Sequence, residues 1–431
     1  MSGATRESRR SAAARPRVLL VSDVAFPRVN GVSTSIATFR RELARLGCET
    51  RLVAPQYDGS GREDDPTLIR VAGRLVPFDP EDRLMARRPL ARALGVALSG
   101  GFDLVHVQTP FRAHYAGVAA ARAAGVPVVE TYHTFFEHYL EHYVPVLPGR
   151  LLRWLARRFS RAQGNAVDRL IVPSTAMREV LAGYGITSPM AVVPTGFDST
   201  IQAGDAPAFR RRLAIAPEQP LLLVLGRLGH EKNLLFLLEV FAAVCRRSAD
   251  ALLLVAGEGP ARHDLARWAQ RLGLAERVRF LGYLGRDGDL GACYRAADAL
   301  LFASRTETQG LVLLEAMALG VPIVTTAEMG TRDLLASGRG ARVVEETVGA
   351  FAGAVLEVLH DPALAARLRR EGPEVAGEWS AGVMAERLLG EYETALVGAP
   401  QRGMRPASPF GVDAPAAESQ VAPASAGELS A

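Results

Sequence analysis

Lys232 is the single lysine among fifty lysine and arginine residues in this chain. A compact, rotatable ammonium serves where a planar guanidinium does not, the alternative being that one lysine has survived by chance. The segment Gly226-Arg227-Leu228-Gly229-His230-Glu231-Lys232-Asn233 puts it five residues after Arg227, behind an all-apolar run and ahead of a helical pattern. A guanidinium fork and an ammonium point charge in such a loop can both reach a diphosphate. A second charged group lies in SRTETQGLVLLEAMA, where Glu307 and Glu315 are eight residues apart, nearly two helical turns, with Thr308, Gln309, Gly310 and Leu311 between them. Glu307 falls in a strand-to-helix loop, where hydroxyls of a sugar can be read. Glu315 falls in an otherwise apolar helix, where an unpaired carboxylate is costly and two ribose hydroxyls would offset the cost.

Three other loops carry weaker signals. Phe26-Pro27-Arg28-Val29-Asn30-Gly31-Val32-Ser33 leads from an apolar run into a helix. Gly31 lets backbone approach a ligand, and Ser33 is a candidate cap for a helix whose positive end would face an anion. Glu130-Thr131-Tyr132-His133-Thr134 ends another apolar run; His133 is either a hydrogen-bonded bystander or a site residue. Gly257-Glu258-Gly259-Pro260 specifies a tight turn and equally permits close ligand approach.

The elements that must position these loops are short β-branched or Leu-rich runs alternating with longer helical patterns, the signature of parallel sheets covered by helices on both faces. Strands are expected at 17–23, 50–54, 104–108, 127–133, 170–173 and 191–194, and a second set at 221–226, 251–257, 278–283, 299–303, 322–325 and 341–344. In open parallel sheets ligands sit beyond the carboxyl ends of the strands, where all five loops fall. With 431 residues and 48% hydrophobic side chains the chain can fill two cores. The polar stretch 195–207 separates them. The expected organisation is a disordered tail over 1–15, a first Rossmann-like domain over 16–200, a second over 201–380, a C-terminal helix over 381–397, and a disordered Pro/Ala/Ser/Gly tail over 398–431.

The apolar runs are far shorter than the roughly 20 residues of a bilayer-spanning helix. The first sixteen residues are charged without an apolar segment, unlike a secretory signal, so a cytoplasmic location is expected. Cys48, Cys245 and Cys293 are widely spaced and read as buried small hydrophobes rather than a disulfide framework or zinc site. The formal charge of +4 comes with no nucleic-acid-binding motif, and that class of partner is set aside.

Together the Gly31 loop, the His133 segment, Arg227 with Lys232, and Glu307 with Glu315 followed by EAMALGVPIV resemble family 4 of the retaining glycosyltransferases over roughly residues 16–397. The resemblance implies the glycosyltransferase-B fold, two doubly wound α/β domains facing a central cleft, the first binding the acceptor and the second the nucleotide sugar, with the helix over 381–397 packing back toward the first domain. By residue it implies Gly31 at the donor diphosphate, His133 at the donor sugar, Arg227 and Lys232 on the diphosphate, Glu307 on the sugar and Glu315 on the ribose, with Gly257, Glu258, Gly259, Thr308, Gln309, Gly310 and Leu311 lining the donor site. It implies no metal and no other cofactor. The strings PRVNGVSTS, YHTFFEHYLEHY and ETQGLVLLEAMA are most similar to members that glucosylate diacylglycerol from UDP-glucose, the Thr-Gln-Gly form replacing an aromatic residue found in many relatives; related mannosyltransferases share parts of the first two.

A lipid acceptor requires a way to meet a bilayer. GRLLRWLARRFSRAQ, residues 149–163, reads as a helix with Leu151, Leu155 and Phe159 on one stripe and Arg150, Arg153, Arg157 and Arg161 on another. Five arginines without an acid, Trp154 among them and Phe135, Phe136, Tyr139 and Tyr143 just upstream, suit an anionic membrane surface; an ordinary helix covering the sheet is the alternative. The expected activity is metal-independent, α-retaining transfer of a hexose to a lipid acceptor at the inner face of the cell membrane. A GDP-mannose-dependent mannosyltransferase, a polysaccharide-building transferase, a sugar-nucleotide epimerase and a non-catalytic nucleotide-sugar sensor are the other readings.

Overall fold

The computed structural model describes residues 15–28, 30–57, 65–76, 79–133, 149–197, 201–285 and 288–398. The first half contains β1 (Val18–Val21), β2 (Thr50–Pro55), β3 (Leu68–Val71), β4 (Gly73–Val76), β5 (Asp79–Met85), β6 (Leu104–Val107), β7 (Val128–Thr131), β8 (Arg169–Val172) and β9 (Met190–Val192). Helices α1 (Gly31–Arg45), α2 (Arg87–Ser99), α3 (Arg112–Ala124), α4 (Gly149–Gly164) and α5 (Thr175–Gly183) lie between them. The second half contains β10 (Leu221–Leu225), β11 (Leu252–Ala256), β12 (Val278–Gly282), β13 (Ala299–Phe302), β14 (Ile323–Thr325) and β15 (Arg342–Val343). Its helices are α6 (Ala206–Arg212), α7 (Leu234–Cys245), α8 (Arg262–Arg271), α9 (Asp289–Ala296), α10 (Leu311–Ala318), α11 (Thr331–Leu335), α12 (Val348–His360), α13 (Pro362–Glu378) and α14 (Ala381–Gly398).

Both principal sheets are parallel and doubly wound. The first has the order β3-β2-β1-β6-β7-β8-β9 and the second β12-β11-β10-β13-β14-β15. In each, the chain builds outward in one direction from its first strand and then in the other, so a crevice opens between β1 and β6 and again between β10 and β13. All twelve strands read from the sequence are present. The sequence reading missed β3, at the sheet edge, and the antiparallel β4–β5 pair beside it.

The apolar runs alternate between two cores because successive strand residues point to opposite faces. Leu19 and Val21 enter one cluster with α2 and α3, while Val18 and Leu20 enter another with α1. Leu222 and Val224 pack against α7 and α12, and Leu221 and Leu223 against α9 and α10. Helix α14 crosses back to finish the first sheet: Met384, Leu388, Leu389 and Tyr392 are buried in its α1-side cluster. Each such side chain contributes roughly 1.5–3 kcal/mol by leaving water.

Helix α14 runs past its expected end, and α13 runs through an internal proline. Helix α13 continues through Pro373 to Glu378, where Gly372 approaches the backbone of Met317 in α10 so closely that a Cβ would lie 2.9 Å from its carbonyl oxygen. Gly398, assigned to the disordered tail, closes α14, and Arg15, assigned to the other tail, pairs with Glu393 of that helix at 3.0 Å. The rest of both expected tails lies outside the described residues. All three cysteines are buried and unpaired with one another, and burial pushes the Cys48 and Cys293 thiols up to about 12. Among the described residues no single helix is long and apolar enough to cross a membrane.

Candidate donor and acceptor site

Beyond β1, Asn30 rather than Ser33 is the N-cap of α1. The Asn30 side chain accepts from Ser33 N at 2.9 Å and the Ser33 hydroxyl accepts from Asn30 N at 2.9 Å. This reciprocal capping box corrects the sequence reading: Ser33 answers the cap from the third helical position and is buried. Gly31 opens the helix, with no atom within 4 Å of where its Cβ would lie.

Across the crevice, the loop after β6 brings Gln108 to His133, which follows β7. His133 Nε2–H donates to Gln108 Oε1 at 3.0 Å, fixing a tautomer with Nδ1 as an acceptor. Desolvation holds the ring's pKa down at about 4, so it is neutral at pH 7. Next to it His106, on β6, has Nδ1 2.6 Å from the Tyr392 hydroxyl and Nε2 2.7 Å from Thr131 Oγ1. Burial, then the neighbouring His133, lowers its pKa to about 3. Asp23 accepts from Thr109 Oγ1 at 2.8 Å and from Ala113 N in the first turn of α3; burial, which outweighs these bonds, raises its pKa to about 6.

The second crevice carries the charges. Lys232 ends a single 3-10 turn, His230–Lys232, and its Nζ lies 2.8 Å from Glu307 Oε2, each side chain about one-fifth exposed. The β10 and β13 loops are thereby joined by an ion pair across the reversal point. Arg227 pairs with Glu231 and is 61% exposed, free to swing toward an anion. Glu315 is buried, and its Oε2 accepts from the Tyr294 hydroxyl at 2.9 Å. A phenol inside the protein therefore meets part of the cost that the sequence assigned wholly to a ligand.

The turn Gly257-Glu258-Gly259 has its shape for a reason within the protein. Leu228 N donates to Glu258 O at 2.9 Å and Ala261 N to Leu228 O at 2.9 Å, so the loops after β10 and β11 lie backbone on backbone. A Cβ on Gly257 would be 1.9 Å from Gly226 O, and one on Gly259 2.5 Å from Leu228 O, at φ values of 128° and 156°. Loop packing alone requires both glycines. The Glu258 side chain is 59% exposed, 3.9 Å from Arg262.

The glutamate loop is braced from behind. Gly330 N donates to Glu307 O at 2.9 Å, and a Cβ on Gly330 would be 1.9 Å from Thr308 O. Gly310, at φ 82°, caps α10, whose first residue is Leu311. Gln309 points elsewhere: its Nε2 donates to Thr195 Oγ1 at 3.2 Å.

On α4 the buried stripe is Leu152, Ala156, Ser160 and Gln163, one residue displaced from the expected one. Leu151 and Leu155 are 43% and 41% exposed, beside Trp154 at 56%, while Phe159 is partly buried against the core. Arg150, Arg157, Arg158 and Arg161 are exposed and Arg153 is intermediate, with the Arg158 guanidinium 5.9 Å over the Trp154 ring. Phe135 and Tyr139 lie outside the described residues.

Sequence reasoning missed Gln108, His106, Tyr294 and Thr195. Their signal is three-dimensional, each contact joining residues far apart in the chain.

Two family models match. Glycosyltransferase Family 4 matches residues 29–200, and Glycosyl transferases group 1 residues 205–375. The chain is 33% identical to the alpha-monoglucosyldiacylglycerol synthase of Streptococcus pneumoniae over 80% of this chain and 78% of the relative. It is 31% identical to a GDP-mannose-dependent alpha-mannosyltransferase of Mycolicibacterium smegmatis over 88% of this chain and 98% of the relative. Among solved structures, Anabaena Alr3699/HepE in complex with UDP superposes with a TM-score of 0.68 at 17% identity, covering 88% of this chain and all of that one. The two-domain glycosyltransferase-B fold is shared with it.

Proposed function

Because this chain belongs to family 4 of the glycosyltransferases, we propose that it moves a glucosyl residue from UDP-glucose to diacylglycerol, with retention of the α configuration and without a metal. The observation that carries the reading is the Lys232–Glu307 pair at 2.8 Å, set where the second sheet reverses and flanked by Arg227 and Glu315. Without donor, each charge compensates the other. A donor diphosphate entering beside Lys232 takes over the ammonium, which leaves the Glu307 carboxylate to accept from sugar hydroxyls, while Glu315 takes the ribose. Arg227 exchanges Glu231 for the diphosphate, and Gly31 offers it the α1 N-terminus.

In the reaction the C1–O bond to the diphosphate breaks and the acceptor oxygen bonds to C1 on the same face. The acceptor proton passes to a phosphate oxygen of the leaving nucleoside diphosphate, so no protein nucleophile is needed. Lys232 and Arg227 stabilise the charge that grows on the leaving group, an electrostatic contribution made by groups already in place. His133, neutral and with Nδ1 as an acceptor, positions the sugar. The exposed Leu151, Trp154 and Leu155 among the arginines of α4 seat the protein on the anionic inner face of the membrane, where the lipid acceptor is. The alpha-monoglucosyldiacylglycerol synthase relative supports the glucosyl group and the diacylglycerol acceptor together.

A second reading, GDP-mannose as donor, has the support of the mannosyltransferase relative matched over nearly its whole length. Purified protein with radiolabelled UDP-glucose, UDP-glucuronate, UDP-galactose or GDP-mannose, each offered with diacylglycerol in anionic mixed micelles, separates the two. Labelled glycolipid from UDP-glucose is expected. Product from GDP-mannose alone would move the donor, free altered sugar without acceptor would make the protein an epimerase, and donor binding without any lipid product would move the acceptor to a glycan.

A further inference from the structure

Thr195 sits two residues before Phe197, where the chain passes from one domain to the other. Phe197 N donates to Trp379 O and its carbonyl accepts from Ala381 N, both at 2.9 Å, so the outgoing and returning crossings are bonded together. The Thr195 hydroxyl is buried and has two partners, one in each domain. It donates its proton to Ser35 Oγ on α1 at 2.8 Å and accepts from Gln309 Nε2 in the glutamate loop at 3.2 Å. A hydroxyl has one proton to give and lone pairs to receive, and both uses are spoken for. Ser35 itself is almost fully buried. The relay thus starts four residues after Gly31, passes through the hinge and ends two residues after Glu307.

A second tie spans the same gap. Asp333 on α11 accepts from Thr175 N, the first residue of α5, at 2.6 Å, and Met329, at a left-handed φ of 48°, packs against the core of the first domain. Asp333 fastens the domains from α11, just after Gly330, which braces the donor loop through Glu307 O, whereas Gln309 belongs to the loop itself. A rotation of one domain against the other would separate Gln309 from Thr195 and Ser35 and release the loop.

We infer that Thr195, backed by Ser35, is a positioning residue that sets the donor loop through Gln309. The inference rests on the proposed reading of Glu307 and its neighbours as the donor loop. The Gln309 amide acts on the hinge rather than on the donor, and the loop's contact with the donor comes from its neighbours.

The test compares Thr195→Val, Thr195→Ser, Ser35→Ala, Gln309→Leu and the double Ser35→Ala/Thr195→Val with the unaltered full chain. UDP affinity is measured by calorimetry, kcat and donor KM with UDP-glucose and GDP-mannose, and the thermal midpoint alongside. Thr195→Val is expected to weaken UDP binding and raise donor KM about fivefold to tenfold, the effect of a buried hydrogen bond, with Gln309→Leu close to it. Thr195→Ser restores both values, and the double variant is no worse than Thr195→Val. Unchanged UDP affinity and KM in Thr195→Val would overturn the inference. So would Thr195→Ser failing as badly as valine, which marks a packing role, or losses that follow the thermal midpoint. Should the unaltered protein bind UDP but transfer no sugar, the functional reading fails and the UDP affinities alone decide the inference. Should it not bind UDP, both fall.

Discussion

At the reversal point of the second sheet the loops carry Arg227, Lys232, Glu307 and Glu315, joined by an ion pair and braced by backbone packed on backbone. At the same point of the first sheet they carry Asn30, bonded to Ser33 within its own cap, and Gln108 with His133, joined by a hydrogen bond between uncharged groups and backed by the buried His106. One strand order therefore supports two chemistries. Compensated charge on loops free to exchange partners suits a departing diphosphate. A desolvated, neutral network suits placing a sugar and an incoming hydroxyl without competing for the charge.

Removing the ammonium should break this division most visibly. Lys232→Ala is expected to lower kcat by at least ~10²-fold with either nucleotide sugar, measured in steady state on protein shown to be folded; near-normal turnover would sink the assignment.

The neutral half should declare itself through pH. His106 and His133 titrate near 3 and 4 when folded, against roughly 6.5 in the unfolded chain. The unfolded state therefore takes up protons first as pH falls below about 6.5, and the stability these rings contribute above that value drains away toward their folded pKa values. Asp23, held up at about 6, has the opposite sign: its contribution is greatest at low pH and is lost as pH rises through 6. Denaturant unfolding at pH 7 and pH 5 should show the drop, and His106→Gln should lessen it by about 2 kcal/mol. An identical drop in the variant would mean that His106 is not desolvated.

The outer face of the first domain offers a smaller effect. Arg150→Ala with Arg158→Ala is expected to weaken sedimentation with phosphatidylglycerol vesicles about thirtyfold, at roughly 1 kcal/mol per arginine, with no change on neutral vesicles. Equal loss on both would argue against an electrostatic seat.

Tyr294→Phe should act least. It deletes one hydrogen bond to Glu315 and is expected to weaken UDP binding about fivefold while leaving kcat at saturating donor near its normal value; an unchanged UDP affinity would mean that Tyr294 does not set the carboxylate.

The second sheet was legible because its strands are continuous apolar runs such as Leu221–Leu225, and its charged loops because each follows such a run directly. The edge strand β3 was not, since Leu68, Ile69 and Arg70 are only partly buried and show no clean alternation. On α4, Leu151-Leu155-Phe159 and Leu152-Ala156-Ser160 have the same helical spacing, so periodicity cannot tell which row faces the sheet. Nor can it tell Asn30 from Ser33, both good caps three residues apart. Gln108, Thr195 and Tyr294 lie deepest beyond sequence reading, because each acquires its role from a partner on another element: the segment after β7, the other domain and α10.

The central claim is retaining transfer onto a lipid, and the most direct measurement is the anomeric configuration of the glycolipid formed from an α-linked donor, read by proton NMR of the first product. An α-glycosyl lipid as the sole product is predicted. A β-linked product would contradict the account.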